Sequence, residues 1–264
     1  RSGIEGAYED VLRGQPGQTA YEVDSAGNIV RVVPELTEAP VPGHDLLTTL
    51  DVNVQYLAET ELATRMDVVE DTYPEAGGSV VVLDPNTGGV VAMASYPTFN
   101  PNDFLNGISQ EQYAALADPN GPLPLLNRAV AGEYAPGSTF KPFTALAAID
   151  NGVRTPADTV NDPGEYQAQN CEGDTCTFRN DESVPHGAVN LARSLTVSSD
   201  YYYYQIGDIL WLRRDEVGEE ALQDTARMFG FGHTTGIELG EERDGVVPTP
   251  ERKIRNHEEN PTAF

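Results

Sequence analysis

Lysine is almost missing from this sequence: two of its 264 residues are lysine, against 14 arginines. Basic charge as a whole is short, with 16 Lys and Arg facing 42 Asp and Glu, for a formal net charge of −26. That balance excludes a nucleic-acid partner, because no basic surplus is left to neutralise phosphates. It argues equally against docking on anionic lipid. The acid excess itself describes a well-solvated surface, not a fold. Long apolar runs are missing too: nothing approaches the roughly 18 to 20 residues that a membrane helix needs, and no signal peptide opens the chain. Cysteine is confined to Cys171 and Cys176 in "CEGDTCTF". The pair fits a small disulfide loop in an oxidising compartment or two free thiols in a reducing one. A zinc pair needs two further ligands, and His44, His186, His233 and His257 are scattered.

What remains is globular in composition, with 39% hydrophobic residues, and long enough for one large domain or a main domain with a small addition. The opening "RSGIEGAYEDVLRGQPG" reads as a cut into a longer protein, and "RNHEENPTAF" stops without a cap or closing strand. Both ends are therefore expected to be internal boundaries, with any anchor outside this stretch. "YEVD" and "IVRVV", flanking Ser25–Asn28, predict a β-hairpin, since Gly and Asn tolerate the positive φ of tight turns. "HDLLTTL" predicts a short strand. In the following stretch Val54, Leu57, Ala58, Leu62, Met66 and Val69 fall on one helical stripe, with Asp51 or Asn53 available as a cap. The apolar runs 80–83 and 90–94, separated by "DPNTGG", predict paired strands, and their lack of alternation predicts a sheet covered on both faces. "STFKPFTALAAIDNG" predicts a helix stopped by Asn151-Gly152. Residues 153–185 look irregular, "AVNLARSLTVSSDYYYYQIGDIL" has helical texture, and "LQDTARMFGFG" is a further helix closed by glycines.

One of the two lysines sits in "YAPGSTFKPF", three residues after Ser138. On a helix, Ser138 and Lys141 share a face, so the amine is expected to reach the hydroxyl. A serine hydroxyl is a poor nucleophile until a base takes its proton, and lysine serves as that base only when neutral. Pro136 and Gly137 mark a helix start, where free N–H groups favour developing negative charge. Pro142 predicts an irregular first turn, because its missing N–H is harmless only near the start. Sixty residues on, "SLTVSSDYYYY" places Ser198, Ser199 and Asp200 together. A second hydroxyl there is able to relay a proton, and a carboxylate to hold the lysine or a substrate backbone.

"PGSTFKP" followed by "SSD" resembles the first two motifs of the penicillin-binding transpeptidases. "TTLDVNVQ", "VVVLDPNTGGVVAMASYP", "PLLNRAVAGEYAPGSTFKP" and "FGFGHTTGIELGEERDGVVPTPE" resemble the class B, elongation-type members along essentially the whole chain. The resemblance implies an α/β fold with a central antiparallel sheet flanked by helices, incomplete at the C-terminus. Residues 1–45 would end the upstream β-rich, non-catalytic domain, and 46–264 would form the transpeptidase domain. It implies a D,D-transpeptidase that cross-links peptidoglycan stem peptides through a serine acyl-enzyme and is acylated by β-lactams. Ser138, Lys141 and Ser198 would be catalytic and Asp200 substrate-binding, with no metal or organic cofactor. Implied partners are a SEDS-family glycan polymerase and cell-wall scaffold proteins, at the extracytoplasmic face of the membrane. The alternative is a β-lactam-binding sensor or inactive homologue without turnover.

Two departures stand out. Asp200 replaces the Asn that many relatives carry, and no Lys-Thr-Gly occurs, since the other lysine, Lys253, is followed by Ile254. The 264 residues alone are therefore expected not to form a competent transpeptidase: loss of one oxyanion donor typically lowers rates by about 10² to 10³. Penicillin acylation of residues 1–264 as fast as that of a form extended through the natural C-terminus would overturn this expectation.

Overall fold

The computed structural model describes residues 3–70, 77–105, 107–171 and 173–259. The chain divides into two compact units, one of residues 1–132 and 236–243, the other of 133–235 and 244–264.

In the first unit, β1 (Tyr21–Val23) and β2 (Ile29–Val32) pair antiparallel as expected. Asp24 closes the turn by accepting from Ala26 N and Asn28 N. Residues 44–50 form no strand, contrary to the sequence pattern. Their end is instead tied to a neighbouring strand: Asp51 N donates to Val91 O at 2.9 Å and Thr49 Oγ1 to Val90 O at 2.7 Å. Asp51 then caps α1 (Val52–Glu70), accepting from Asn53 N and Val54 N.

β3 (Gly78–Leu83) and β4 (Val90–Tyr96) are the antiparallel pair foreseen, in a register that sets Val80 opposite Ala94 and Val82 opposite Ala92. α1 covers one face of this pair, where Ala58, Ala92 and Ala94 are buried with Val54, Leu62, Val80 and Val82 packed around them. Three alanines at the contact let helix and sheet approach closely. The other face is open: Val81 is 44% and Leu83 55% exposed, so the expectation of cover on both faces is not met. Apolar residues on a two-faced strand do not by themselves say that both faces are buried. Leu57 likewise leaves the expected stripe and is exposed.

The second unit carries the lysine and the serine pair. The segment after Pro136 is a 3₁₀ turn (Gly137–Phe140) that leads into α2 (Lys141–Asp150). The irregular first turn is thus present, and Pro142 falls within the first turn of α2, where no intrahelical N–H bond is lost. Four short strands follow: β5 (Val160–Asp162), β6 (Glu165–Gln167), β7 (Thr177–Arg179) and β8 (Gly187–Val189). β5 pairs with β8 and β6 with β7, all antiparallel, within a region whose sequence looked irregular. Three-residue strands are too short to show a period. Cys171 and Cys176 are joined as a disulfide in the β6–β7 connection.

α3 (Leu191–Thr196) and α4 (Asp200–Leu212) divide the stretch of helical texture, with Val197 to Ser199 between them. α5 (Ala221–Met228) and α6 (Pro250–Glu259) complete the unit. Its core joins Ala145, Ala147 and Ala148 of α2 to Tyr202, Ile206 and Leu210 of α4 and Ala221 of α5. Beside it Phe140, Phe143, Phe229 and Phe231 pack edge to face or tilted, with centroids 4.8–5.6 Å apart.

α4 is anchored to β6 by Tyr166, whose hydroxyl donates to Asp208 at 2.5 Å. Burial first, and then the Asp208 carboxylate, push the Tyr166 phenol up to about 12. The folded protein then holds this proton more tightly than the unfolded chain, so stability falls as pH rises from about 10 to about 12 and is unaffected below that window. The loss should reach about 2 kcal/mol by pH 12. Chemical denaturation across this range should show a shallower alkaline decline in Tyr166→Phe, and equal slopes would contradict the assignment.

Candidate active site

Ser138 lies in the exposed 3₁₀ turn, where Thr139 Oγ1 donates to Pro136 O at 2.6 Å and Gly137 adopts φ +56°. Lys141, the first residue of α2, is only 8% exposed. Its amine meets three oxygens: Ser198 O at 2.6 Å, Ser198 Oγ at 2.9 Å and Asp200 Oδ1 at 2.7 Å. The ring of Tyr203 lies 5.7 Å away, a further contact favourable to a cation. Ser198 Oγ in turn lies 3.0 Å from Ser138 Oγ. The four sequence candidates Ser138, Lys141, Ser198 and Asp200 therefore converge.

The convergence differs from expectation in one respect. The hydrogen-bonded path from Lys141 to Ser138 passes through Ser198, whereas the helical spacing suggested direct reach. The Lys141 amine is instead turned to the break before α4, where Ser198 O, Ser198 Oγ and Asp200 Oδ1 accept from it.

Ser198 has this reach because of its backbone. α3 closes with Ser198 N donating to Leu195 O and Ser199 N to Ser194 O, and Ser198 itself has φ +54°. This is a Schellman closure, with the left-handed position that glycine usually fills occupied by serine. Such a conformation costs a side-chain-bearing residue roughly 1–2 kcal/mol. Here it brings both the carbonyl and the hydroxyl of one residue onto the Lys141 amine. Strain of this kind persists where the surroundings over-determine it.

The next two residues turn elsewhere. Ser199, fully buried, caps α4 by accepting from Tyr202 N at 3.1 Å and donates to Asp162 Oδ2 at 2.6 Å. Asp200, in the first turn of α4, directs its carboxylate to Lys141. Sequence reading passed over Asp162 and its partner Asn180, because an Asp ahead of Pro-Gly reads as turn chemistry. Tyr202 and Tyr203 belong to the core, Tyr203 with its ring near the Lys141 amine, and Gly230 and Gly232 hold positive φ in the loop after α5.

Chemically the cluster links an exposed hydroxyl to a buried amine through a second hydroxyl. With Lys141 as an ammonium, its N–H donates to Ser198 Oγ and Ser198 donates to Ser138. With Lys141 neutral, both bonds reverse, and the Ser138 proton has a path inward.

Residues 78–260 match the penicillin binding protein transpeptidase domain, and residues 1–48 the penicillin-binding protein dimerisation domain. The chain belongs to the penicillin-binding transpeptidase family. It is 41% identical over 252 residues to the peptidoglycan D,D-transpeptidase MrdA of Escherichia coli strain K12, across 95% of this chain and 36% of that protein. The chain thus spans about a third of that relative's length. It is similar to a solved structure described as structural coordination of polymerization and crosslinking by a peptidoglycan synthase complex, with a TM-score of 0.76 and 36% identity over 96% of this chain and 43% of that one. It is also similar to the complex between penicillin-binding protein PBP2 and MreC from Helicobacter pylori, with a TM-score of 0.72 and 28% identity over 98% of this chain and 44% of that one.

The conformation of Ser198 yields a test. Ser198→Ala and Ser198→Gly both remove the hydroxyl between Ser138 and Lys141, and only the glycine relieves the left-handed strain, so Ser198→Gly should be the more stable of the two by about 1 kcal/mol. Penicillin acylation should fall in both, while denaturation midpoints should separate them. Equal midpoints, or acylation kept in either variant, would show that the turn does not hold strain for the sake of the hydroxyl.

Proposed function

We propose that this chain contributes the acyl-enzyme centre of a peptidoglycan D,D-transpeptidase, with Ser138 as nucleophile. The observation that carries the reading is the continuous hydrogen-bonded path Ser138–Ser198–Lys141 beneath an exposed hydroxyl. Ser138 Oγ attacks the carbonyl of the penultimate D-Ala as its proton passes to Ser198 Oγ, and the Ser198 proton passes to a neutral Lys141. The new Oγ–C bond forms, the amide C–N bond breaks, and the terminal D-Ala leaves with a proton returned along the same path. An amine of a neighbouring stem peptide then attacks the ester and frees Ser138. β-Lactams open on the same hydroxyl.

Asp200 serves two ends in this scheme. At 2.7 Å it holds the Lys141 amine against Ser198. As a carboxylate in the mouth of the site it also accepts a substrate backbone N–H.

Residues 1–45 are read as the end of an upstream β-rich domain, a reading supported by the hairpin β1–β2 and the dimerisation-domain match. In the full-length protein the site would work on the extracytoplasmic side of the membrane, held by an N-terminal anchor. Its partners would be a SEDS-family glycan polymerase and cell-wall scaffold proteins, classes in keeping with the two assemblies to which the chain is similar.

The adduct formed by the full-length protein with a fluorescent penicillin should map by mass spectrometry to the peptide carrying Ser138, and mapping to Ser198 or Ser199 would sink the assignment. Lys141→Arg should abolish acylation, because arginine keeps its proton at any accessible pH. Acylation near the wild-type rate in that variant would remove Lys141 from the role of base.

A further inference from the structure

A carboxylate outside the reacting cluster is tied to it from below. Asp162, the last residue of β5, is 1% exposed, and four hydrogen bonds from three neighbours reach its two oxygens: Gly164 N at 2.8 Å and Asn180 Nδ2 at 3.0 Å on Oδ1, Asn180 Nδ2 at 3.0 Å and Ser199 Oγ at 2.6 Å on Oδ2. Asn180, 4% exposed, spends its remaining capacity on the same region, donating to Val184 O and accepting from Tyr201 N at 2.8 Å. The first free amides of α4 are thereby claimed from one place: Tyr201 N by Asn180 and Tyr202 N by Ser199.

The strand that carries Asp162 also fixes the other side of the turn. Asp162 pairs with Gly187 in the β5–β8 ladder, and β8 leads through Asn190 into α3, whose first turn that asparagine caps. Ser198 therefore sits between two helices whose starts are both referred to β5 and its ladder. Ser199, its immediate neighbour, is the direct strut.

We propose that Asp162 is a positioning residue: through Ser199 and Asn180 it holds Ser198 in the left-handed conformation that places its hydroxyl between Ser138 and Lys141. Asp162 touches neither substrate nor reacting atoms. A bonded carboxylate at full burial is a costly way to stabilise a turn, since breaking such a site leaves donors unpaired while an apolar replacement often folds as well. Its use here is geometric. A displacement of about 1 Å at a reacting group costs on the order of 10² in rate.

This inference rests on the acyl-enzyme reading above, and the test separates the two. The rate of Ser138 acylation by a fluorescent penicillin is measured on the full-length protein and on Asp162→Asn, Ser199→Ala and Ser198→Ala, alone and with Asp162→Asn combined with Ser198→Ala. Whichever way the new amide turns, Asp162→Asn sets an NH₂ group against donors, and acylation should fall by about tenfold or more. Ser199→Ala leaves Asp162 accepting from Gly164 and Asn180 but removes the strut together with the α4 cap on Tyr202 N, so it should lower the rate by several-fold and the thermal midpoint by the modest amount that loss of a helix cap brings. In the Ser198→Ala background Asp162→Asn should cost less than about twofold, because a residue acting through Ser198 has nothing left to position.

A purely structural role would not show that loss of coupling. If Asp162→Asn fails to fold, the Ser199→Ala rate decides alone, and a rate equal to wild type overturns the proposal. Equal losses from Asp162→Asn with and without Ser198 overturn it as well. A wild-type protein that takes no label at Ser138 overturns the acyl-enzyme reading itself, and the positioning role with it.

Discussion

Everything distinctive in the second unit depends on one amine. Lys141 is withdrawn from solvent at the start of α2 and bonded to three oxygens, two of them from a single residue. A buried ammonium without partners is strongly disfavoured, so those oxygens must be delivered to it with little freedom. The break between α3 and α4 has that shape because it supplies the carbonyl and hydroxyl of Ser198 and the carboxylate of Asp200 within three residues. The amine in turn ties the turn carrying Ser138 to the start of α4, which no strand pairing does among the described residues.

The supports are small and polar on one side, small and apolar on the other. Alanines at 145, 147 and 148 let α2 lie close against Tyr202 and Ile206 of α4, fixing the distance across which Lys141 reaches. Beneath the turn, Asp162, Asn180 and Ser199 satisfy backbone amides that a helix start leaves open. Fully satisfied polar networks of this kind favour one arrangement over near alternatives, because each alternative strands a buried donor.

Much of this was legible beforehand. Turn chemistry announced the β1–β2 hairpin, Asp51 or Asn53 announced the start of α1, and Val80 to Leu83 with Val90 to Ala94 announced the strand pair. The unusual placement of a scarce lysine pointed to Ser138 and Lys141, and "SSD" to Ser198 and Asp200. What escaped reading was non-local or conformational. Whether Val81 and Leu83 are covered depends on what lies across the sheet, which a run of valines does not encode. The strands β5 to β8 are too short for any period, and the "HDLLTTL" pattern is satisfied by side bonds to β4 instead of a ladder. Asp162 lies 37 positions from Ser199, and its fate as a buried acceptor is visible only once β5 and α4 are brought together. No residue type betrays that Ser198 takes a glycine's conformation.

The reacting cluster is also local along the chain. Ser138 and Ser198, the farthest hydrogen-bonded pair of the path, are 60 positions apart, and Asp162 lies inside that interval. Loop closure over such a distance is inexpensive and grows only slowly with length. As the polypeptide emerges from the ribosome, α2, the β5–β8 ladder, α3 and α4 become available in that order, with every bonded partner of Lys141 among them. The proton path is thus able to take form during synthesis, ahead of any segment that follows it, and later-arriving chain has only to dock on a centre whose donors and acceptors are already matched.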